Sequence, residues 1–156
     1  MYDKSRPEVI PFLQELRLQF DRYPGVMTLG EIGDGARSLE LMAAYSAGGD
    51  KLDTCYATDF LRGAFEPAFF RGTLERFAAV AGDAWPCWAF SNHDAPRHVS
   101  RWARKGRDHG RLATLAAALL LGLRGTVCVY QGEELGLPEA ELAFDDLVDR
   151  YGIEFW

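Results

Sequence analysis

Cys87-Trp88-Ala89-Phe90-Ser91-Asn92-His93-Asp94 is the stretch whose reading decides the fold of this chain. Cys87 to Phe90 is a short unbroken apolar run, the pattern of a strand buried on both faces in a parallel sheet. The chain then turns polar at once, into an amide, an imidazole and a carboxylate. A buried strand with that ending points hydrogen-bonding groups to where strand becomes loop. In parallel α/β folds chemistry is done there. Taken alone, the triplet also reads as a turn, made by Asn92 and Asp94, with His93 capping a neighbour. A second strand of the same design weighs against that plain reading.

The second strand is Val26-Met27-Thr28-Leu29-Gly30-Glu31, apolar up to a glycine and then a carboxylate, followed by the loop Gly33-Asp34-Gly35. Gly30 permits close approach of backbone or ligand. Two carboxylates at equivalent ends of parallel strands can face one cleft, and paired carboxylates are the equipment of glycoside hydrolysis.

Working outward, Ser5-Arg6-Pro7-Glu8 has capping-box spacing and predicts a helix from Ser5, with Val9, Phe12, Leu13, Leu16 and Phe20 on one face. Ser38 to Ser46 reads as a helix stopped by Gly48-Gly49. A strand over 54–60, with Asp59 near its end, leads through Arg62-Gly63-Ala64-Phe65-Glu66-Pro67 to a helix. Phe70, Leu74, Phe77, Ala78 and Ala81 share a face of that helix, and Gly82 ends it. The central strand is expected at 86–91, and a short helix from Arg97 to Trp102 lies in its long loop. Asp108 is the N-cap expected for the Ala/Leu-rich helix running towards Gly125. The last strand falls at 126–130, before Gln131, Glu133 and Glu134, and an acidic, loop-like tail runs from Pro138 to Trp156. Four helix–strand units with strands near 26–31, 54–60, 86–91 and 126–130 call for right-handed crossovers and a parallel sheet. A doubly wound sheet shares this alternation, but no Gly-x-Gly-x-x-Gly follows any strand.

With 156 residues, 48% of them hydrophobic and 26% charged, the chain has the make-up of one globular domain with a real core. A net charge of −6 and the lack of any Lys/Arg run argue against nucleic acid as a partner. Met1 is not followed by the basic and apolar regions of a signal peptide, and the apolar stretch from Ala113 to Leu123 is too short to span a bilayer. Cys55, Cys87 and Cys128 are odd in number, widely spaced and without a Cys-x-x-Cys pair. They read as buried free thiols rather than metal ligands, which sets the expectation of a cytoplasmic protein without metal, cofactor or membrane partner.

Leu29-Gly30-Glu31, Phe90-Ser91-Asn92-His93-Asp94-Ala95-Pro96-Arg97 and Tyr130-Gln131-Gly132-Glu133-Glu134-Leu135-Gly136 resemble, in that order, three segments of the α-amylase superfamily. More narrowly they are similar to the α-glucosidase and oligo-1,6-glucosidase branch of glycoside hydrolase family thirteen. The opening Tyr2-Asp3-Lys4-Ser5-Arg6-Pro7-Glu8 and the ending Tyr151-Gly152-Ile153-Glu154-Phe155-Trp156 resemble that branch too. Asp149-Arg150-Tyr151 departs from it, since a proline is expected before Tyr-Gly.

The resemblance implies an α/β fold, part of a (β/α)8 TIM barrel, with these strands as strands five to eight and 138–156 as an extension of loop eight. A complete barrel takes about 250 residues, so residues 1–156 are expected to be one domain made from a fragment of the catalytic barrel. The family's nucleophilic Asp, at the end of strand four, would precede residue 1. The resemblance implies Glu31 as general acid/base, Asp94 as the carboxylate that binds sugar hydroxyls and favours the oxocarbenium-like transition state, His93 as a donor to the same sugar, and Arg97 near that sugar or in an ion pair. Asn92 is expected to shape the turn, and Gln131, Glu133 and Glu134 to scaffold loop eight. Asp59 and His98 could line the cleft, though for both the reading without a functional role is favoured. The implied activity is cofactor-free hydrolysis of short α-linked glucosides, with transglucosylation or sugar isomerisation as superfamily alternatives. A non-catalytic barrel remnant that binds sugar weakly or associates with other chains is the reading of a different class. Open strand edges predict self-association of the isolated chain.

Overall fold

The computed structural model describes residues 4–103 and 108–155, so Tyr2, Asp3 and Trp156 of the quoted segments lie outside the described residues. Its order is α1 (Val9–Phe20), β1 (Leu29–Ile32), α2 (Ser38–Ser46), β2 (Thr54–Ala57), α3 (Asp59–Arg62), α4 (Pro67–Val80), β3 (Pro86–Trp88), α5 (His98–Trp102), α6 (His109–Gly122), β4 (Thr126–Val127) and α7 (Arg150–Phe155). The four strands form one sheet in the order β1-β2-β3-β4. Every neighbouring pair is parallel, with Glu31 beside Tyr56, Tyr56 beside Cys87, and Cys87 beside Thr126. Among the described residues no helix is long and apolar enough to cross a membrane.

Several boundaries differ from the sequence reading, each for a physical reason. Helix α1 begins at Val9, not Ser5; Ser5 sits at φ 52° and no side chain caps the helix. Phe12 is 59% exposed, so the inward face narrows to Leu13 with Val9, Ile10 and Leu16 against the core. The first strand starts at Leu29, where pairing with Thr54 begins, and leaves Val26 and Met27 exposed. The second strand stops at Ala57, and Asp59 opens a short helix instead of ending the strand. The last strand is cut to Thr126–Val127, extended by one bond in which Cys128 N–H donates to the Trp88 carbonyl at 2.9 Å. The Asp108 cap is as expected: its side chain accepts from Gly110 N–H at 2.9 Å and Arg111 N–H at 3.3 Å. The tail carries a 3-10 turn at Phe144–Asp146 as well as α7.

The core is aromatic beneath β2 and β3. Phe60, 1% exposed, has the rings of Trp88, Phe70, Phe90 and Phe69 at centroid distances of 5.0, 5.2, 5.6 and 6.0 Å. Such pairs contribute about 0.5–1.5 kcal/mol each beyond area burial. Gly125 permits one close approach that this packing needs. At φ 140° a Cβ there would stand 2.7 Å from the Pro86 carbonyl oxygen and 3.1 Å from Trp88 Nε1.

Opposite the strand ends that carry the polar groups, Asp53 ties the entry of β2 to the entry of β1 and to α1. Its Oδ2 accepts from Thr28 N–H and Oγ1–H, both at 2.7 Å, and from the Arg17 guanidinium at 2.9 Å. Burial alone would raise the Asp53 carboxyl, but these hydrogen bonds and Arg17 outweigh it and hold it below its ordinary 3.8. A depressed carboxyl contributes stability that is present above its unfolded value and lost as pH falls through the folded one. Acid should therefore loosen the join of α1, β1 and β2 below about pH 4. We expect Asp53→Asn to melt lower at neutral pH and to lose less on acidification. Thermal midpoints measured from pH 7 to pH 3 read this directly, and parallel curves for the two proteins would contradict it.

Candidate active site

Glu31 stands at the C-terminal end of β1 because Gly30 before it lets β2 come close. A Cβ at Gly30 would meet Leu52 Cδ1 at 2.7 Å and Cys55 Sγ at 2.9 Å. Register places Tyr56 beside Glu31 on the neighbouring strand. Burial first, and then the hydrogen-bonded Glu31 carboxylate, push the Tyr56 phenol up to about 12, with Asn92 opposing. Asn92 Nδ2 donates to Glu31 Oε1 at 3.3 Å. Glu31 is thus held by Tyr56 of the neighbouring strand and by Asn92 beyond β3, while its residue as a whole stays exposed.

The loop after β3 carries the second set. Asn92, 7% exposed, accepts Asp94 N–H on its Oδ1 at 3.0 Å and forms an isolated antiparallel bridge with Ala95. It therefore both makes the turn and orients Glu31. His93 and Asp94 side chains are 67% and 70% exposed, with Nε2 and Oδ1 3.5 Å apart. A cleft of about 780 Å³ runs between these elements, lined by Glu31, Asp34, Thr58, Asp59 and Asp94 among others, with Lys4 and Arg62; His93 is not among its lining residues. Four carboxylates against two cations make it acidic on balance. Carboxylates accept from sugar hydroxyls and favour a cationic transition state.

Other candidates are placed differently. Arg97 is not among the cleft-lining residues: its guanidinium donates to the Gln131 carbonyl at 2.7 Å and lies 4.9 Å over the Tyr130 ring. His98 is 2% exposed and buried behind the loop, outside the cleft. Asp59 does line the cleft, and its carboxyl is raised, chiefly by burial, against the opposing pull of Arg76 at 3.3 Å. Glu133 is 9% exposed and accepts Tyr130 N–H at 2.9 Å, while Glu134 is exposed. Cys55 and Cys87 are buried free thiols, pushed up to about 12 and about 11 by burial; Cys128 is free and half-buried.

Sequence reasoning passed over Tyr56 and the Asn92–Glu31 bond. A signal for Tyr56 existed, since in a parallel sheet a residue in register with a functional one shares its face. Nothing in the sequence brought Asn92 to Glu31, which lies 61 positions away.

Comparison with known proteins gives the same frame. The sequence model described as "Alpha amylase, catalytic domain" matches residues 1–154. A probable alpha-glucosidase of Rhizobium meliloti (strain 1021) is 51% identical over 157 residues, covering 100% of this chain and 28% of that protein. An oligo-1,6-glucosidase of Heyndrickxia coagulans is 29% identical over 162 residues, covering 95% and 29%. The crystal structure of an alpha-glucosyl transfer enzyme, XgtA, superposes with TM-score 0.89 at 47% identity, covering 97% of this chain and 28% of that one. Trehalose-6-phosphate hydrolase from Bacillus licheniformis, at 24% identity, shares the fold with TM-score 0.78. The chain thus spans less than a third of the length of these relatives, and its four parallel strands are a run of a (β/α)8 barrel. On the match over residues 1–154, the chain belongs to the α-amylase catalytic-domain family.

Proposed function

We propose that this segment supplies the acid/base half of a retaining α-glucosidase acting on short α-linked glucosides. The observation that carries the reading is the shared cleft, lined by Glu31 from the end of one strand and Asp94 from the loop after another. In this reading Glu31 protonates the departing glycosidic oxygen and later deprotonates the attacking water. The nucleophile comes from a strand outside this sequence. Asp94 accepts hydrogen bonds from the sugar hydroxyls and His93 donates to the same ring. Tyr56 and Asn92 aim Glu31, and Arg97 fixes the neighbouring loop. No step requires a metal or cofactor. Free buried thiols support a reducing, cytoplasmic setting.

Glucosyl transfer is the second reading, favoured by the likeness to XgtA at 47% identity. The two differ in whether water or a sugar hydroxyl takes the glucosyl group, so product analysis with an added acceptor separates them.

In the complete-barrel protein, Glu31→Gln should cripple an unactivated disaccharide far more than nitrophenyl α-glucoside, by roughly a hundredfold or more. Only the poor leaving group needs its proton. Asp94→Asn should reduce both alike, because it acts at the glucosyl centre. Equal losses on the two substrates for Glu31→Gln would remove Glu31 from the acid role. The 156-residue chain by itself should give no enzymatic turnover of nitrophenyl α-glucoside, because covalent catalysis needs both carboxylates. Turnover by that purified chain would contradict the division of roles.

The isolated chain should also self-associate. Among the described residues both outer strands are unpaired on one side, and Val26, Met27, Leu29 and Val129 are 40%, 63%, 44% and 48% exposed. Open edges with apolar flanks invite a second chain. Light scattering should report a dimer or larger, and a compact monomer with strong near-UV dichroism at high concentration would rule this out.

A further inference from the structure

The loop that carries His93 and Asp94 has little packing of its own, since both side chains are about two-thirds exposed. What fixes it is its neck. Ser91 and His98, seven positions apart, close the loop with two contacts: Ser91 Oγ accepts His98 N–H at 2.9 Å and lies 3.0 Å from His98 Nδ1. Both residues are buried, at 1% and 2% exposure. The imidazole is wedged against Trp102 and Phe90, with ring centroids at 5.3 and 6.2 Å. On its other side it meets the loop after β4, where Glu133 Oε1 is 2.9 Å from Nδ1, close but off the axis of a good hydrogen bond.

The proton position follows from these distances. A bare Nδ1 lone pair 2.9 Å from a carboxylate oxygen would be repelled, so Nδ1 carries the hydrogen and donates it to Ser91 Oγ, while Glu133 Oε1 stands beside it without a hydrogen-bond partner among the described residues. Nε2 is buried without a hydrogen-bond partner among the described residues. The counter-charge to Glu133 is Arg101. Burial pulls its guanidinium down to about 10, and Glu133 pushes it back. Arg101 in turn donates to the Phe90 carbonyl and, at 3.3 Å, to the Gly63 carbonyl. Glu133 Oε2 holds Tyr130 N–H, so the neck joins β3, its loop and the loop after β4.

We propose that His98 is a positioning residue, which closes the neck of the Asn92–Asp94 loop through Ser91, docks it on Glu133, and so sets where Asp94 stands in the cleft and where His93 stands beside it. This rests on the reading of the cleft as a glucosidase site. A shift of the loop by about 1 Å at its neck is enough to cost roughly a hundredfold in a site of this kind.

The test uses the complete-barrel protein, with kcat/KM on nitrophenyl α-glucoside and the Kd of the iminosugar deoxynojirimycin as two readouts. His98→Leu removes the Nδ1 donor and should lower kcat/KM and raise Kd by roughly ten- to a hundredfold. His98→Asn puts an amide N–H where Nδ1–H was and should restore both to within about threefold of wild type. Ser91→Ala, which deletes a single oxygen, should move both readouts in the direction of His98→Leu by several-fold and covers the case in which His98→Leu fails to fold. Wild-type values in a folded His98→Leu or in Ser91→Ala would overturn the proposal, as would a His98→Asn no better than His98→Leu. Glu31→Gln run alongside separates the two levels. If Glu31→Gln retains full activity on the disaccharide, the glucosidase reading fails. If it is inactive there while Ser91→Ala and His98→Leu behave as wild type, only the positioning role fails.

Discussion

The packing of Phe90 beneath the end of β3 is the constraint on which the candidate site depends. Its fully buried ring meets Phe60, Phe70 and Trp102 at 5.6, 5.6 and 5.1 Å, and its carbonyl accepts from Arg101. The residue therefore fixes, within one turn of chain, both the last apolar layer of the core and the first polar residue of the loop. Ser91 follows at once with its hydroxyl committed to His98. Apolar packing is non-directional and would tolerate some sliding of the strand. The directional bonds just beyond it remove that freedom.

The alternation of helices with four strands was legible because a buried parallel strand must be apolar throughout and must return through a crossover. Boundaries were less legible, since strand ends depend on partners. Val26 and Met27 have the composition of a strand, yet pairing with β2 begins at Leu29. Val129 and Tyr130 are in the same position after β4, where the bond from Cys128 N–H is the last to β3 among the described residues. Ser5 illustrates another failure. The capping-box spacing is present, but the residue adopts φ 52° and the helix starts at Val9. Spacing states which bonds are possible, and the tertiary path decides which are made.

For the site, the residues visible in the sequence were those whose chemistry contrasts with their surroundings. Glu31 after an apolar strand, and His93 and Asp94 after another, stand out because an ionisable group placed directly after an apolar run marks where a buried strand opens into a loop. Gly30 was visible too, although its reason proved to be the side chains of Leu52 and Cys55 rather than a ligand. Supporting residues were not visible in this way. Tyr56 and Ser91 are ordinary in a strand, and Glu133 in a polar loop reads as solvated. Their roles come from contacts across wide gaps in sequence: His98 meets Glu133, Asn92 meets Glu31, and Arg97 meets Gln131. Single-sequence patterns carry local periodicity, and these contacts are not periodic.

The arrangement separates contact from accuracy. Under the proposed glucosidase reading Asp94 and His93 bind a sugar, and side chains with that role must keep their hydrogen-bonding capacity open rather than be locked by bonds within the protein. Their exposure of about two-thirds is consistent with that requirement. Accuracy has then to be supplied by the backbone beneath them. A backbone loop is rigid only if its ends are held by groups that water does not reach, because exposed pairs are weak and interchangeable. Buried polar contacts at the neck meet this need but carry a desolvation cost, which is kept down here by placing Arg101 near the Glu133 charge. The exposed latch of Arg97 on Gln131, with Glu139 accepting Arg97 N–H at 2.8 Å, repeats the connection at the surface, where it costs less and holds less. The two layers together make the loops after β3 and β4 a single unit. A change in either loop is therefore felt at Asp94, although neither Glu133 nor His98 lies in the cleft.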